Sequence, residues 1–357
     1  MENSDSDEDY DLLLRIVIQR RKKIVQCRPN FFTLYDEKDF RERFRLCKQA
    51  ARDVLELIRP NIQHATTWNN SLSPEHMLAI ALRFYATGST QQLMADAAGV
   101  SISTVSRVIT LVSHEIARLR KQFIQFPVAI KEIRKTQKDF FMVSKFPRVI
   151  SALDCTHVKI QSPGGDHAEL FRNRKNFFSF NVQTMCDSKL KILDVVARWP
   201  GSTHDSTILR NSKIGVRLQS GEFENAIVLA DKGYENNDRV LTPLHSVTNE
   251  AESLYNESHI RTRNVVERSY GVWKRRFPVL SLGIRVACKK VQPIIVATAI
   301  LHNICLLHHD SEAPSLPPEV DQQIIAALNI PNNRGSNGRI EKNAVRNDII
   351  NGYFSTL

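Results

Sequence analysis

RVISALDCTHVKI, residues 148–160, is an apolar, β-rich run carrying one acid, Asp154. Bounded by Pro147 and by Pro163-Gly164-Gly165, it predicts a strand. FFSFNVQTMCD at 177–187 and LKILDVVARWPG at 190–201 predict two more, joined by a tight turn at Asp187-Ser188. Residues 206–220 read as helical, and NAIVLADKGY at 225–234 as a short strand ending in an acid. Arg261–Phe277 predicts a long helix halted before Pro278, and PIIVATAILHNICLLHH at 293–309 another, apolar one. Three neighbouring strands, a helix, a fourth strand and closing helices predict an α/β fold over 148–309, a mixed sheet flanked by helices.

The chain ahead of this unit, 12–147, reads as a mostly helical domain, preceded by an acidic, disordered tail at 1–11. LLLRIVIQRRKK at 12–23 is basic and amphipathic: a DNA contact, an import signal or a helix with a solvated face. Phe40, Phe44, Leu46, Ala50, Val54, Leu57 and Ile58 recur at helical spacing over 36–62, with Pro60 as the stop. From 73 to 119 the pattern is a helix capped by Ser73 and begun by Pro74, a short helix ending at Gly99, and a longer one capped by Ser101 or Ser103. This is the shape of a helix-turn-helix, whose recognition helix would present Ser103, Thr104, Ser106 and Arg107 to DNA. A plain helical scaffold uses the same turn. After about 310, Pro, Asn, Gly and Ser become frequent, so 310–357 reads as a poorly ordered tail, with IIAALNI at 324–330 as a small docked element.

A formal charge of +11 on 357 residues favours a nucleic-acid or anionic partner. The six cysteines are scattered without a CxxC, giving little support to structural zinc or a disulfide framework and agreeing with reduced thiols in an intracellular protein. The acidic start argues against export, and no apolar run reads as long enough to span a membrane.

Four acids stand out. Asp154 follows Ile150, Ala152 and Leu153; Asp231 follows Ile227, Val228, Leu229 and Ala230; Asp205 lies in WPGSTHDS; Glu267 lies in RNVVERSYG. Carboxylates beside apolar runs are costly unless something uses them. Asp231 falls at the carboxyl end of a strand, where open sheets put ligands, and Arg263, Glu267, Tyr270 and Gly271 share one helix face, Gly271 permitting close approach to the sheet. Two strand aspartates and a helical glutamate can converge on Mg2+ or Mn2+, hard ions that prefer oxygen. Two such ions roughly 4 Å apart would activate water on one side of a phosphodiester and stabilise the leaving oxygen on the other. Taken singly, each acid also suits a cap, an ion pair or the surface, and Asp205 in particular suits a helix cap. His157 and His204 would contact phosphate or order a carboxylate. Arg263, Lys274, Arg275 and Arg276 would form a basic stripe for double-stranded DNA. GxSxG and a phosphate-loop lysine are missing, which disfavours a triad hydrolase and a nucleotide motor.

In order, ALDCTH, NRK at 173–175, WPGSTHDS, LADKGY, RNVVERSYG with WKRRFPVL, and ATAILHNICL resemble the Harbinger transposase-derived nucleases, with the DDE endonuclease domain of the PIF/Harbinger superfamily over about 148–309. The resemblance implies a ribonuclease-H-like core, with Asp154, Asp231 and Glu267 as the catalytic DDE acids and Asp205 as a further metal ligand. It implies a divalent-metal-dependent DNA endonuclease, or a domesticated DNA-binding or complex-forming protein that keeps the fold without useful cleavage. It also implies a Myb/SANT-like DNA-binding partner, self-association into a homo-oligomer, and residence in nucleus and cytoplasm.

Overall fold

The computed structural model describes residues 28–64, 71–310, 318, 319, 322 and 344–357. The basic stretch at 12–23 and the segment 324–330 lie outside the described residues. The sheet has five strands in the order β3-β2-β1-β4-β5: β1 Val149–Lys159, β2 Ser179–Cys186, β3 Ile192–Pro200, β4 Ile227–Leu229 and β5 Val240–Leu241. The first three pair antiparallel, while β4 runs parallel to β1 and to β5, giving the expected mixed, ribonuclease-H-like sheet. Asp187 makes the β2–β3 turn by accepting the Lys189 and Lys191 N–H groups on Oδ1. Two details differ from expectation. β4 stops at Leu229 because Asp231 opens a turn, accepting the Gly233 N–H on its side chain and the Tyr234 N–H on its carbonyl. β5, two residues long, was not anticipated.

The numbered helices are α1 Glu37–Phe44, α2 Lys48–Ile62, α3 Pro74–Thr87, α4 Gln91–Ala98, α5 Ile102–Arg118, α6 Ile130–Ser144, α7 Asp205–Arg210, α8 Lys213–Gln219, α9 Glu250–Arg276, α10 Val291–Leu307 and α11 Ala344–Gly352. Ser73, Thr90 and Ser101 each accept an N–H of the first turn they cap, and Gly88 and Gly99 close α3 and α4 in left-handed conformations. Pro60 does not stop the helix: α2 runs on to Ile62, since near a C-terminus the missing N–H forfeits one bond. The break falls earlier, at Arg45, left-handed with φ 67°. The predicted 206–220 helix is two helices, restarted at Ser212, whose hydroxyl caps α8. α9 begins at Glu250, eleven residues before its predicted start, capped by Asn249.

The helical segment and the sheet share one apolar core. It runs from Phe40 through Val105, Val108 and Val112 of α5, and Ile294, Ile295 and Ile300 of α10, to Val182 and Val195 of the sheet. α10 lies at its centre. With the preceding turn, Cys288–Leu307, at 20 residues and a mean hydropathy of 1.5, is by length and composition long enough to cross a membrane, which corrects the reading that no such run exists. In the fold it is mostly buried, packed between α5 and β3. A smaller core under the opposite sheet face joins Leu153, Met185 and Val228 to Ile214 and Leu218 of α8. The C-terminal segment corrects a second expectation: 344–357 is structured, with Ile349, Ile350 and Phe354 buried and the Phe354 ring edge-on to Phe146 and Tyr255.

Candidate metal centre

The strand register builds the site. β1 and β4 are parallel with Ala152 opposite Leu229, so Asp154 and Asp231, each two residues further on, emerge together at the same end of the sheet. Asp205 arrives from a third element, as the first residue of α7. The chain reaches it through Gly201, where a β-carbon would lie 2.3 Å from Ser179 Oγ and 2.6 Å from the Phe171 carbonyl, so glycine alone fits. His204, not Asp205, stands at the cap position, and Asp205 is buried as the first residue of the helix. Its Oδ1 accepts Asn181 Nδ2 at 2.8 Å, from β2. One oxygen each from Asp154, Asp205 and Asp231 fall within 4.8 Å of one another.

Each aspartate is held by backbone or buried amide. Asp154 Oδ1 accepts the Cys155 N–H at 2.7 Å, Asp231 Oδ1 accepts the Gly233 N–H at 2.8 Å, and the Tyr270 hydroxyl donates to the Asp154 carbonyl at 2.6 Å. Burial first, then the Asp231 charge, pushes the Asp154 carboxyl up to about 8, against the opposing pull of Arg263. A carboxylate this reluctant to ionise is in want of positive charge. Three oxygen donors from three elements, crowded enough to repel, fit a hard divalent cation, and the described residues place no histidine or cysteine in the group.

Glu267 stands outside this group. Its side chain, 52% exposed, accepts Arg263 Nη2 at 2.5 Å, and Arg263 Nη1 reaches Asp154 Oδ2 at 3.4 Å. The helical acid therefore connects to the aspartates through a guanidinium. His157 Nδ1 pairs with Ser179 Oγ at 3.1 Å, and Arg174 Nη2 donates to His204 Nδ1 at 3.2 Å.

The basic stripe needs correction. Arg276 is fully buried, donating to the Arg45 carbonyl and to the Asp310 carboxylate and carbonyl. Lys274 is buried too, donating to the His157 carbonyl, and burial with the nearby Lys175 charge lowers its ammonium to about 7. Of these three residues Arg275 alone is exposed. Gly271 plays no close-packing role, since a β-carbon there meets nothing within 4 Å. In the helical segment the chain turns by 101° between α4 and α5. Ser103 and Arg107 are exposed on the first turns of α5; Thr104 is half-buried against Ser101, and Ser106 accepts Lys290 Nζ at 2.9 Å. Asn181 and the Tyr270 hydroxyl went unassigned in the sequence; Asn181 is a buried amide in a strand buried along its whole length, a signal of a polar group with a task.

The model of the DDE superfamily endonuclease domain matches residues 153–303. HARBI1 of Rattus norvegicus and HARBI1 of Homo sapiens, each designated a candidate nuclease, are 30% identical to the chain over 312 residues, spanning 85% of it and 86% of the relative. Protein ALP1-like of Arabidopsis thaliana is 22% identical over 303 residues, spanning 79% of the chain and 74% of the relative. No solved structure matches. With likeness running through both the helical segment and the sheet that carries the aspartates, the chain belongs to the family of Harbinger transposase-derived nucleases.

Proposed function

We propose that the chain is a divalent-metal-dependent DNA endonuclease of Harbinger transposase descent, hydrolysing phosphodiesters at the aspartate cluster. The observation that carries this reading is the convergence of Asp154, Asp205 and Asp231 from three elements. These residues would hold Mg2+ or Mn2+, with Glu267 as the fourth acid. When bound, the metal supplies Lewis-acid polarisation of the phosphodiester and eases deprotonation of water. The chain itself supplies rigidity: the Cys155 and Gly233 amides fix two carboxylates, and Asn181 fixes the third. Double-stranded DNA would meet Ser103 and Arg107 on α5 and the exposed Arg275, while Lys274 and Arg276 serve the interior. A Myb/SANT-like protein would supply base readout, two copies would supply two active sites, and the chain would move between cytoplasm and nucleus.

One observation favours a second reading, a domesticated DNA-binding or complex-forming protein without useful cleavage: Glu267 is tied to Arg263 rather than to the aspartates. In keeping with it, one relative, 26% identical over 253 residues, is named Antagonist of Like Heterochromatin Protein 1 of Arabidopsis thaliana. Incubating the purified full chain with labelled duplex DNA and Mg2+ or Mn2+, beside Asp154→Asn, separates the two. Cutting by the wild type that Asp154→Asn abolishes supports the nuclease, and cutting that survives the substitution overturns it. Metal binding with no cutting, even with a transposon-end duplex and the partner protein, favours the second reading.

A further inference from the structure

We infer that Arg263 is a built-in counter-cation of the acid cluster, competing with the divalent ion for Asp154 and holding Glu267 away from the aspartates until that ion displaces it. The inference rests on the metal-dependent reading above. Arg263 is 15% exposed and divides its guanidinium between two carboxylates, with a short bond to Glu267 and a long contact to Asp154. The short bond lies within α9, one turn apart, so the two side chains form a unit on the helix. The long contact crosses from α9 to β1, and it is the weaker of the two.

The competition follows from which oxygen is in use. Asp154 Oδ1 already accepts the Cys155 N–H, so the oxygen turned to Arg263, Oδ2, is the one best able to serve an ion. Guanidinium and metal therefore want the same atom. Arg263 brings one positive charge to four carboxylates, and it cannot shed that charge at any relevant pH. A divalent ion brings two charges and binds oxygen at shorter range. Arg263 thus partly compensates the cluster and keeps Glu267 on its solvent side. A bound ion would displace the long contact first, and with it the anchor that ties the Arg263–Glu267 pair to the strand.

Calorimetric titration of the full chain with Ca2+, which takes carboxylate oxygens without demanding octahedral geometry, tests this in wild type, Arg263→Gln and Arg263→Lys. Arg263→Gln should bind Ca2+ about tenfold more tightly, equivalent to about 1.4 kcal/mol. Arg263→Lys, which keeps the charge, should stay within about threefold of wild type. In chelator Arg263→Gln should melt below wild type, and saturating Ca2+ should close that gap. Should Arg263→Gln fail to fold, the wild type supplies its own readout: the Arg263 side-chain NMR signals should move in step with Ca2+ occupancy. If wild type binds Ca2+ and Arg263→Gln binds no tighter, if Arg263→Lys tightens as much as Arg263→Gln, or if the Arg263 signals stay fixed at saturation, the inference is overturned and the metal site stands. If wild type and both variants take up no more Ca2+ than Asp154→Asn, the metal reading falls and this inference falls with it.

Discussion

Replacing Asp154 with Asn should stabilise the metal-free protein at alkaline pH, although it removes a central residue of the site. Burial and the Asp231 charge raise the folded-state value of this carboxyl to about 8, from 3.8. The folded protein therefore holds a proton that the unfolded chain has released, and stability falls as pH rises between those two values. About four pH units at about 1.4 kcal/mol each set a ceiling of about 6 kcal/mol. Rearrangement of Arg263 and of water at the rim as the carboxylate ionises brings the net gain down to about 2 kcal/mol. The amide of Asn keeps an acceptor for the Cys155 N–H and discards the charge. Urea unfolding of both proteins in chelator, at about pH 5.5 and about pH 8.5, should show the variant more stable, with a gap that widens toward the higher pH. A variant less stable than wild type at the higher pH, or a gap that does not change with pH, would refute the argument that the cluster lacks positive charge.

Adding Mg2+ or Mn2+ well above its dissociation constant should raise the wild-type melting temperature, and Asp231→Asn or Asp205→Asn should abolish that rise in the same thermal scan. Arg276→Met should destabilise the fold by about 2–3 kcal/mol in urea, because it takes away one of the two guanidinium partners of the buried Asp310 carboxylate, leaving Arg41, and also the donor to the Arg45 carbonyl; DNA binding per folded molecule should not change. Arg107→Ala combined with Arg275→Ala should weaken duplex binding and lower the salt slope by about 2, measured by fluorescence anisotropy across salt concentrations.

The sheet was legible where burial is continuous. β1, β2 and β3 came from long apolar runs with polar punctuation, whereas β5 is two residues whose pairing with β4 no local pattern announces. Asp154 and Asp231 were legible because each ends an apolar run; that they stand side by side is set by the parallel register, a non-local fact. The early start of α9 did leave a mark, since Asn249 caps it and Glu252, three residues on, turns back to the Thr248 N–H, a variant of the capping box. Arg276 was legible by phase. Val266, Ser269, Tyr270 and Trp273 line the inward face of α9, and the next position on that face is 276. Its charge argued for the surface, and the compensating Asp310 lies 34 residues away, out of reach of any reading confined to one helix. The docking of α11 was hidden by the Asn-rich stretch before it, though Ile349, Ile350 and Phe354 carry an apolar signal of their own.

The position of α10 bears on how a duplex could be handled. Asn303 on this helix accepts the Ile192 N–H and donates to the carbonyls of Ile192 and Phe123, so β3 and the short helix Arg120–Phe123 that follows α5 are latched to the same side chain. α5 on one side and the sheet on the other pack on one shared core, which couples the turn that carries Arg107 to the strand ends that carry the aspartates. A duplex held at both places would have to do its own bending. Sites rich in easily kinked pyrimidine–purine steps would then be preferred at positions no side chain touches, a selectivity that comes from the stiffness of the protein.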